Sequence, residues 1–214
     1  MTEKINLTER TQVKRKPERA QYDRQLINAV IDAALYGVIG FSDGKNVHVI
    51  PTAIWRIEDY LYIHGSKASR LLQELIQGAQ ACISITHVDA LVLARSAFAH
   101  SMNYRSVCIY GEFSEAPEAL KQESLRRFIE GLVPGRWQHI RQPTPQELAA
   151  SVVLRIPLSE CVYKGRQGPV VDFAQDMDQP VWAGLAPVTL QWLDLQQDSS
   201  QELQDLPGKA IRIS

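Results

Sequence analysis

Cysteine is scarce in this sequence, and the three that occur form neither a disulfide framework nor a metal pattern. Cys82, Cys108 and Cys161 are far apart, and none belongs to a CxxC pair. An odd number of widely spaced cysteines suits a reducing compartment. Cys82 and Cys108 lie within strand-like runs, where a buried and unreactive thiol is the usual role.

Long apolar runs are also missing. No stretch approaches the roughly 20 apolar residues that a membrane-spanning helix requires. The polar run from Met1 to Gln21 lacks the apolar centre of a signal peptide. The five histidines show no HxxxH or HExxH spacing, so we expect no metal site. These absences predict a cytoplasmic protein with no membrane partner.

Positive charge is concentrated near the N-terminal end and negative charge near the C-terminal end, although the 214 residues carry a formal net charge of only -1. Seven acids and no Lys or Arg occur between Asp172 and Asp205. We therefore divide the chain into a basic arm (1–20), one domain (21–190) and a polar acidic tail (191–214). The arm either is a loosely held, solvated leader that pairs with the acidic tail, or reaches an anionic ligand or nucleic acid. The basic residues at this end are Lys14, Arg15, Lys16, Arg19 and Arg24.

Hydrophobic and turn patterns predict a mainly β fold of the α+β type. Strands are expected at 38–42, 47–55, 60–64, 81–86, 90–94, 104–113 and 152–157, with helices between several of them. The first three follow each other without room for crossover helices, which indicates antiparallel pairing. Asp43-Gly44 predicts a hairpin, and Pro51 predicts an edge strand or a bulge. We expect an antiparallel barrel of about six strands with peripheral helices, and loop structure beyond Lys164.

The segment from His64 to Arg70 has the composition of a phosphate site. A strand is expected to end at His64, Gly65 to permit a sharp turn, and a helix to begin near Ser66 or Lys67. The first turn of a helix has unpaired N–H groups and a positive dipole, and Ser66, Lys67, Ser69 and Arg70 would add hydroxyls and cations there. The alternative is that Ser66 merely caps the helix while Lys67 and Arg70 face solvent.

These motifs, in their order, resemble the pyridoxamine 5'-phosphate oxidase-like FMN proteins. Ser69-Arg70 is followed later by a strand that carries Arg105 and ends at Gly111, as in that family. The similarity extends to the branch related to nitroimidazole-resistance proteins and covers about residues 15 to 190. The segments that carry it are Arg15–Arg19, Ile50-Pro51-Thr52, His64-Gly65-Ser66, Asn103-Tyr104-Arg105-Ser106, Pro134-Gly135-Arg136-Trp137 and Trp182–Pro187.

The resemblance implies a split β-barrel that holds FMN at the interface of a homodimer. Phosphate would then be anchored by Ser66, Lys67, Ser69 and Arg70. Thr52 and Ser106 would make polar contacts near the flavin ring, Arg105 would stabilise negative charge on the reduced flavin, and Trp182 would contact the cofactor or the partner subunit. The branch implies an oxidoreductase that acts on a small molecule, with the reduction of nitro compounds as a suitable activity.

One departure from the family argues against oxidation of pyridoxamine phosphate itself. The oxidases carry a basic residue after the Ser-Arg pair and an Arg-rich C-terminus, whereas Leu71 stands at that position here and the tail is acidic. An acidic tail would repel a phosphate ester.

Two side chains keep alternative roles open. His64 is a catalytic proton donor or flavin contact, or a strand-end histidine that hydrogen-bonds the backbone. Arg105, in mid-strand, is costly to bury unless it meets a carboxylate, a neighbouring subunit or the flavin. A second class of function is a carrier without turnover that holds flavin or haem, with His64 as the haem ligand.

Overall fold

The computed structural model describes residues 4–194 and residue 196, which form eleven strands and four α-helices joined by turns and short 3-10 segments. Among these residues no helix combines the length and the apolar character that crossing a membrane would demand. The strands are β1 Ala20–Gln21, β2 Tyr36–Ser42, β3 Val47–Ala53, β4 Trp55–Ile57, β5 Tyr60–Ser66, β6 Ala81–Leu93, β7 Ser101–Gly111, β8 Ser114–Glu115, β9 Ser151–Pro157, β10 Cys161–Arg166 and β11 Gly184–Pro187. The helices are α1 Arg24–Asp32, α2 Arg70–Ile76, α3 Glu118–Leu132 and α4 Pro145–Ala150.

Two antiparallel sheets build the domain. The larger runs in the order β1-β10-β7-β6-β2-β3, with β11 added along β6, and the smaller runs β4-β5-β9-β8. Every pair of neighbouring strands is antiparallel. This arrangement confirms the predicted split-barrel α+β class, with eleven strands where about six were expected.

The core lies between the sheets because the strands bury alternate side chains. In β2 the buried positions are Gly37, Ile39 and Phe41, as the period of two requires. Ile39 and Phe41 pack in one large apolar cluster with residues such as Ile83 of β6 and Leu154 of β9. A smaller cluster forms between the outer face of the small sheet and α3.

Local turn and cap signals are confirmed. β2 and β3 form a hairpin around Gly44, whose φ of 83° lies in the left-handed region. Pro51 lies on β3, the edge strand of the larger sheet. Because no strand of the described residues pairs with the outer edge of β3, the missing N–H of proline removes no hydrogen bond on that side. Thr144 and Glu147 form the expected capping box at the start of α4.

Predicted strand boundaries in the larger sheet need correction. The predicted strands 81–86 and 90–94 are one strand, β6, which contains a register shift between Val88 and Ala90 rather than a break. Such a bulge keeps the strand continuous while it bends. Beyond Lys164 the chain is not only loop, because β10 continues to Arg166 and β11 pairs with β6.

The helix before β2 also ends earlier than predicted. α1 stops at Asp32, and Gly37 lies inside β2 instead of terminating the helix. A Cβ at Gly37 would lie 3.1 Å from Ile83 and 3.2 Å from Ile54. The glycine at position 37 therefore serves close packing within the barrel. The turn between α1 and β2 lies before it, after Asp32.

The described part of the basic arm is bound to the domain rather than loosely held. Ile5 and Thr11 are buried, and the Ile5 amide donates to the carbonyl of Tyr22. Arg10 forms an ion pair with Glu160, which also accepts a hydrogen bond from Thr8. The division into arm, domain and tail remains a prediction, and residues 197–214 of the tail lie outside the described residues.

Candidate functional site

The segment predicted to bind phosphate connects β5 to α2, and the helix does not begin at Ser66 or Lys67 as predicted. α2 begins at Arg70, with Ser69 as its N-cap residue, so Ser66 and Lys67 precede the helix. The amide of Lys67 donates instead to the carbonyl of Ala150, and the Ser66 hydroxyl accepts from the amide of Ala68. The helix dipole of a seven-residue α2 therefore adds little here, and Ser66 is not a helix cap.

Positive charge at this loop is uncompensated. Lys67 and Arg70 are exposed to solvent, as the alternative interpretation expected, and neither forms an ion pair with any carboxylate of residues 4–194 and 196. The half-buried Ser69 makes no side-chain capping bond at the start of α2. The four residues from Lys67 to Arg70 offer the ammonium of Lys67, the guanidinium of Arg70 and the hydroxyl of Ser69. Together these hydrogen-bond donors suit a phosphate group.

Gly65 is required for close packing rather than for a turn. Its backbone continues β5, opposite Val152 of β9. A Cβ at this position would lie 2.9 Å from Leu72 Cδ1, a separation that real Cβ atoms do not show. The absence of a side chain thus lets α2 pack directly against the end of β5, which fixes the loop between them.

His64, the last residue before Gly65, points into an aromatic cluster. Its ring lies 5.6 Å from that of Trp55 and 5.2 Å from that of Phe128 on α3. Burial lowers the pKa of the imidazole, so the neutral form is favoured. Nδ1 of His64 and Nε1 of Trp55 are both buried with no hydrogen-bond partner in the described part of the chain.

This geometry excludes one of the two roles left open for His64. Its buried ring nitrogen does not hydrogen-bond the neighbouring backbone. An unpartnered buried nitrogen costs free energy, and contact with a bound group would offset that cost. The imidazole therefore remains available as an acceptor, a donor or a metal-binding group.

Thr52 lies on the edge strand β3, half-buried and opposite Gly37 of β2. Strands β3 and β5 contact each other, but His64 faces the aromatic cluster between the small sheet and α3, and no contact joins Thr52 to it among the described residues. Five of the nine residues proposed from the sequence lie together at the end of β5 and the start of α2, namely His64, Ser66, Lys67, Ser69 and Arg70.

Arg105 and Ser106 lie elsewhere in the single chain. They are on β7, which is separated from β3 by β6 and β2. The Ser106 hydroxyl donates to the carbonyl of Lys164 at 2.8 Å, so it is already used in pairing β7 with β10. Within one chain these two residues do not join the loop at Lys67.

Arg105 has a carboxylate partner that the sequence did not identify. Its guanidinium donates to both oxygens of Asp89 at 2.8 to 3.1 Å, and this hydrogen bonding raises the pKa of Arg105. The pair lines a groove of about 760 Å³ between α1, β2 and β6. The bulge that follows Val88 places Asp89 opposite the strand of Arg105, which no local pattern could have revealed.

Trp182 is exposed over 69% of its surface and stands on the segment before β11. Its ring lies against Gly184, where a Cβ would be 2.7 Å from it. A large exposed aromatic is compatible with the cofactor or interface role predicted for it, which stays a prediction.

A run with the residue order of a nucleophile elbow occurs at Gly40-Phe41-Ser42-Asp43-Gly44 but does not form one. Ser42 ends β2 in the hairpin, and its hydroxyl donates to the carbonyl of Asn46. His48 bonds Asp43 at 2.8 Å instead of approaching the serine. The residues of a serine triad are therefore near in space but not connected.

Cys82 and Cys108 are not the inert, fully buried thiols expected. Both are half-buried, on neighbouring strands and diagonal to each other across the β6–β7 register. A hydrogen bond from Cys108 lowers the pKa of Cys82 to about 7, and the same contact raises that of Cys108. Cys82 is therefore the more acidic thiol of the pair.

A known family matches most of the domain. The family model described as pyridoxamine 5'-phosphate oxidase matches residues 23–164. None of the curated proteins matches the chain.

Solved structures agree with that match. The flavocytochrome Anf3 from Azotobacter vinelandii is 36% identical, with a TM-score of 0.87 over 94% of this chain and 93% of that one. An FAD- and haem-binding protein from Mycobacterium smegmatis is 28% identical, with a TM-score of 0.83 over 86% and 91%. A protein from Bacteroides thetaiotaomicron assigned to 5-nitroimidazole resistance is 17% identical, with a TM-score of 0.58 over 79% and 90%, and shows the fold alone.

Proposed function

Because the chain belongs to the pyridoxamine 5'-phosphate oxidase family, we propose that it is a flavin-binding redox protein whose phosphate anchor is the loop at Lys67 to Arg70. The observation that carries the proposal is the uncompensated positive charge of this loop. Lys67 and Arg70 are exposed without a carboxylate partner in the described residues, and a flavin nucleotide carries the anionic phosphate that would complement them.

Each residue of the loop has a distinct task in this proposal. Lys67 attracts the phosphate as a point charge, and Arg70 can bind two of its oxygens at once. The Ser69 hydroxyl, which does not cap α2, can donate to a third oxygen, and Thr52 on β3 can bond the ring. Gly65 holds the loop in place by letting α2 pack on β5.

The bound flavin would supply one- and two-electron transfer, chemistry that no protein side chain offers. The resemblance in the sequence implied FMN. The relative at 28% identity is described as FAD-binding, and we therefore propose FAD as the flavin. Reduction of nitro compounds gains no support, since the resistance protein at 17% identity shares only the fold.

Arg105 is a weaker candidate for stabilising a reduced flavin than its position in the sequence suggested. Asp89 already compensates its charge. We propose that Arg105 and Ser106 approach a cofactor only from a second copy of the chain. The exposed Val47 (79%) and Val49 (65%) on edge strand β3 are apolar surface that such a dimer would cover. Light scattering of the purified protein is expected to give the molar mass of two chains, and the mass of one chain would refute the dimer.

Haem is a second candidate ligand, and His64 favours it. The His64 imidazole is favoured in its neutral form and has a buried nitrogen without a hydrogen-bond partner among the described residues, so it would suit a ligand to haem iron. Two relatives above 25% identity are a flavocytochrome and an FAD- and haem-binding protein. The enclosed space beside Trp55 and Phe128 is only about 90 Å³. That space is too small for a porphyrin, so the haem proposal rests on the imidazole and not on this cavity.

The proposal is tested by releasing the cofactors from the native protein. Denaturation of the purified protein, followed by chromatography and mass spectrometry of the supernatant, is expected to yield FAD in near-stoichiometric amount. A pyridine haemochrome assay of the same sample measures haem separately. Release of FMN instead would correct the flavin assignment, and a protein that retains neither flavin, even after incubation with both, would reject the proposal.

A further inference from the structure

A second open cavity lies on the side of the domain formed by the arm and the end of β10. It is a groove of about 720 Å³, within the range of small-molecule sites. Three parts of the chain form its walls: the arm around Lys16 to Gln21, the connection between β6 and β7, and the segment after Arg166. None of the residues assigned above to flavin or haem lines it.

Positive charge dominates this groove. Lys16, Arg19 and Arg166 line it, against the single carboxylate Glu18, so the charged lining residues sum to +2 (three minus one). No carboxylate of residues 4–194 and 196 forms an ion pair with these three cations. Arg166 instead donates to Asn103 and to the carbonyl of Pro169, which leaves three of its five N–H donors for a ligand.

The wall that carries Arg166 is held by buried polar contacts. Asn103, 7% exposed, accepts from Arg166 and donates through its amide to the carbonyl of Gly168 at 3.0 Å. Further along, the Asp172 carboxylate accepts from both the amide and the guanidinium of Arg95. The segment after β10 is therefore fixed in place, and the guanidinium is aimed before any ligand arrives.

The other feature of the groove is exposed aromatic surface. Phe98 is 88% exposed and Phe173 47% exposed, although both line the groove. Their ring centroids are 6.1 Å apart, so the two rings already pack on each other and a planar ligand would stack on their outer faces. Adjacent exposed rings with polar residues around them are typical of ligand-binding grooves.

From the adjacency of unpaired cations and exposed aromatic rings, we propose that this groove binds a nucleotide-sized ligand with a planar ring and a phosphate or diphosphate group. Arg166, Arg19 and Lys16 hold the anionic end, because a guanidinium fork and an ammonium are preferred phosphate partners. Phe98 stacks on the ring, a contact that suits any base because every base has an aromatic face. The site is independent of the flavin and haem proposals.

The test is calorimetric titration of the purified protein, with its own cofactors bound, by ADP. Adenosine and inorganic pyrophosphate serve as the two halves of the probe. ADP is expected to bind at one site per chain, and each half at least about tenfold more weakly, since each loses one group of contacts. Phe98→Ala and Arg19→Gln are each expected to weaken ADP binding by about tenfold or more, because one removes the stacking surface and the other a cation.

Lys45→Gln removes an equal charge at the β2–β3 hairpin, away from the groove, and is expected to leave ADP affinity within about twofold. Absence of saturable ADP binding would overturn the proposal, and so would unchanged affinity in Phe98→Ala and Arg19→Gln. Release of the bound flavin by ADP, or loss of ADP binding in Lys67→Gln, would assign the nucleotide to the flavin loop and would also overturn it. The flavin proposal does not depend on any of these results.

Discussion

In the double variant Lys67→Gln/Arg70→Gln, we expect flavin affinity to fall by about 10²- to 10⁴-fold, because each charged hydrogen bond to phosphate contributes about 1.5 to 3 kcal/mol. The fold should be unaffected, since both side chains are exposed and make no ion pair within the described residues. Equilibrium dialysis against free flavin measures the change. The single variant Arg70→Lys should lose less, because it keeps the charge and loses only the fork.

The matched control for this double variant is Arg15→Gln/Lys45→Gln, which also removes one arginine and one lysine. Both control residues are exposed and lie outside the loop at Lys67 to Arg70, one in the arm and the other in the β2–β3 hairpin. Flavin affinity in the control should stay within about twofold of the unmodified protein. A test variant that bound flavin as tightly as this control would contradict the phosphate anchor.

Replacing His64 by glycine is expected to remove the Soret band of any haem that the purified protein carries, while the flavin remains bound. Loss of the imidazole that would hold the iron is expected to release the haem, and the band with it, whereas the proposed flavin contacts are on other residues. Added imidazole should restore the band in His64→Gly, because the small ligand can occupy the space that the side chain leaves. A purely structural histidine would show no such rescue.

The pH dependence of the band gives a second readout. Burial lowers the pKa of His64, so the neutral, ligating form persists to lower pH than for an ordinary histidine. The band should therefore be unchanged as the pH falls to the usual pKa of histidine, about 6.5. His139→Ala, which alters an exposed histidine, is the control and should leave the band intact. A band that survives in His64→Gly without imidazole would exclude His64 as the ligand.

Features set by neighbouring residues could be predicted from the sequence. The hairpin at Asp43-Gly44 and the capping box at Thr144 depend on residues within four positions of each other, and the structure confirms both. The short apolar run from Val38 to Ser42, which predicted the strand β2, is similarly local. These signals were enough to predict an antiparallel, mainly β domain.

The start of α2 could not be predicted because distant strands decide it. Ser66 pairs with Ser151 on β9, and the amide of Lys67 donates to Ala150, so the chain stays extended through the point where a helix was expected. The segment from Ser66 to Arg70 was proposed as a phosphate site from its residue types, but its conformation depends on these long-range contacts. The same applies to Asp89, which a bulge brings to Arg105.

The aromatic surround of His64 was also beyond the reach of the sequence. Phe128 lies 64 positions further along the chain, on α3, and reaches the imidazole only because that helix packs over the small sheet. In the sequence, His64 was singled out by its place beside Gly65. Its burial and its unpartnered nitrogen, which carry the haem proposal, follow from tertiary packing.

The most direct test of the central claim is the visible absorption spectrum of the intact purified protein, recorded before and after addition of dithionite. We predict flavin absorption that bleaches on reduction, in a sample that has never been exposed to added cofactor. A protein that is colourless as purified, and that acquires no flavin absorption after incubation with FAD or FMN, would contradict it.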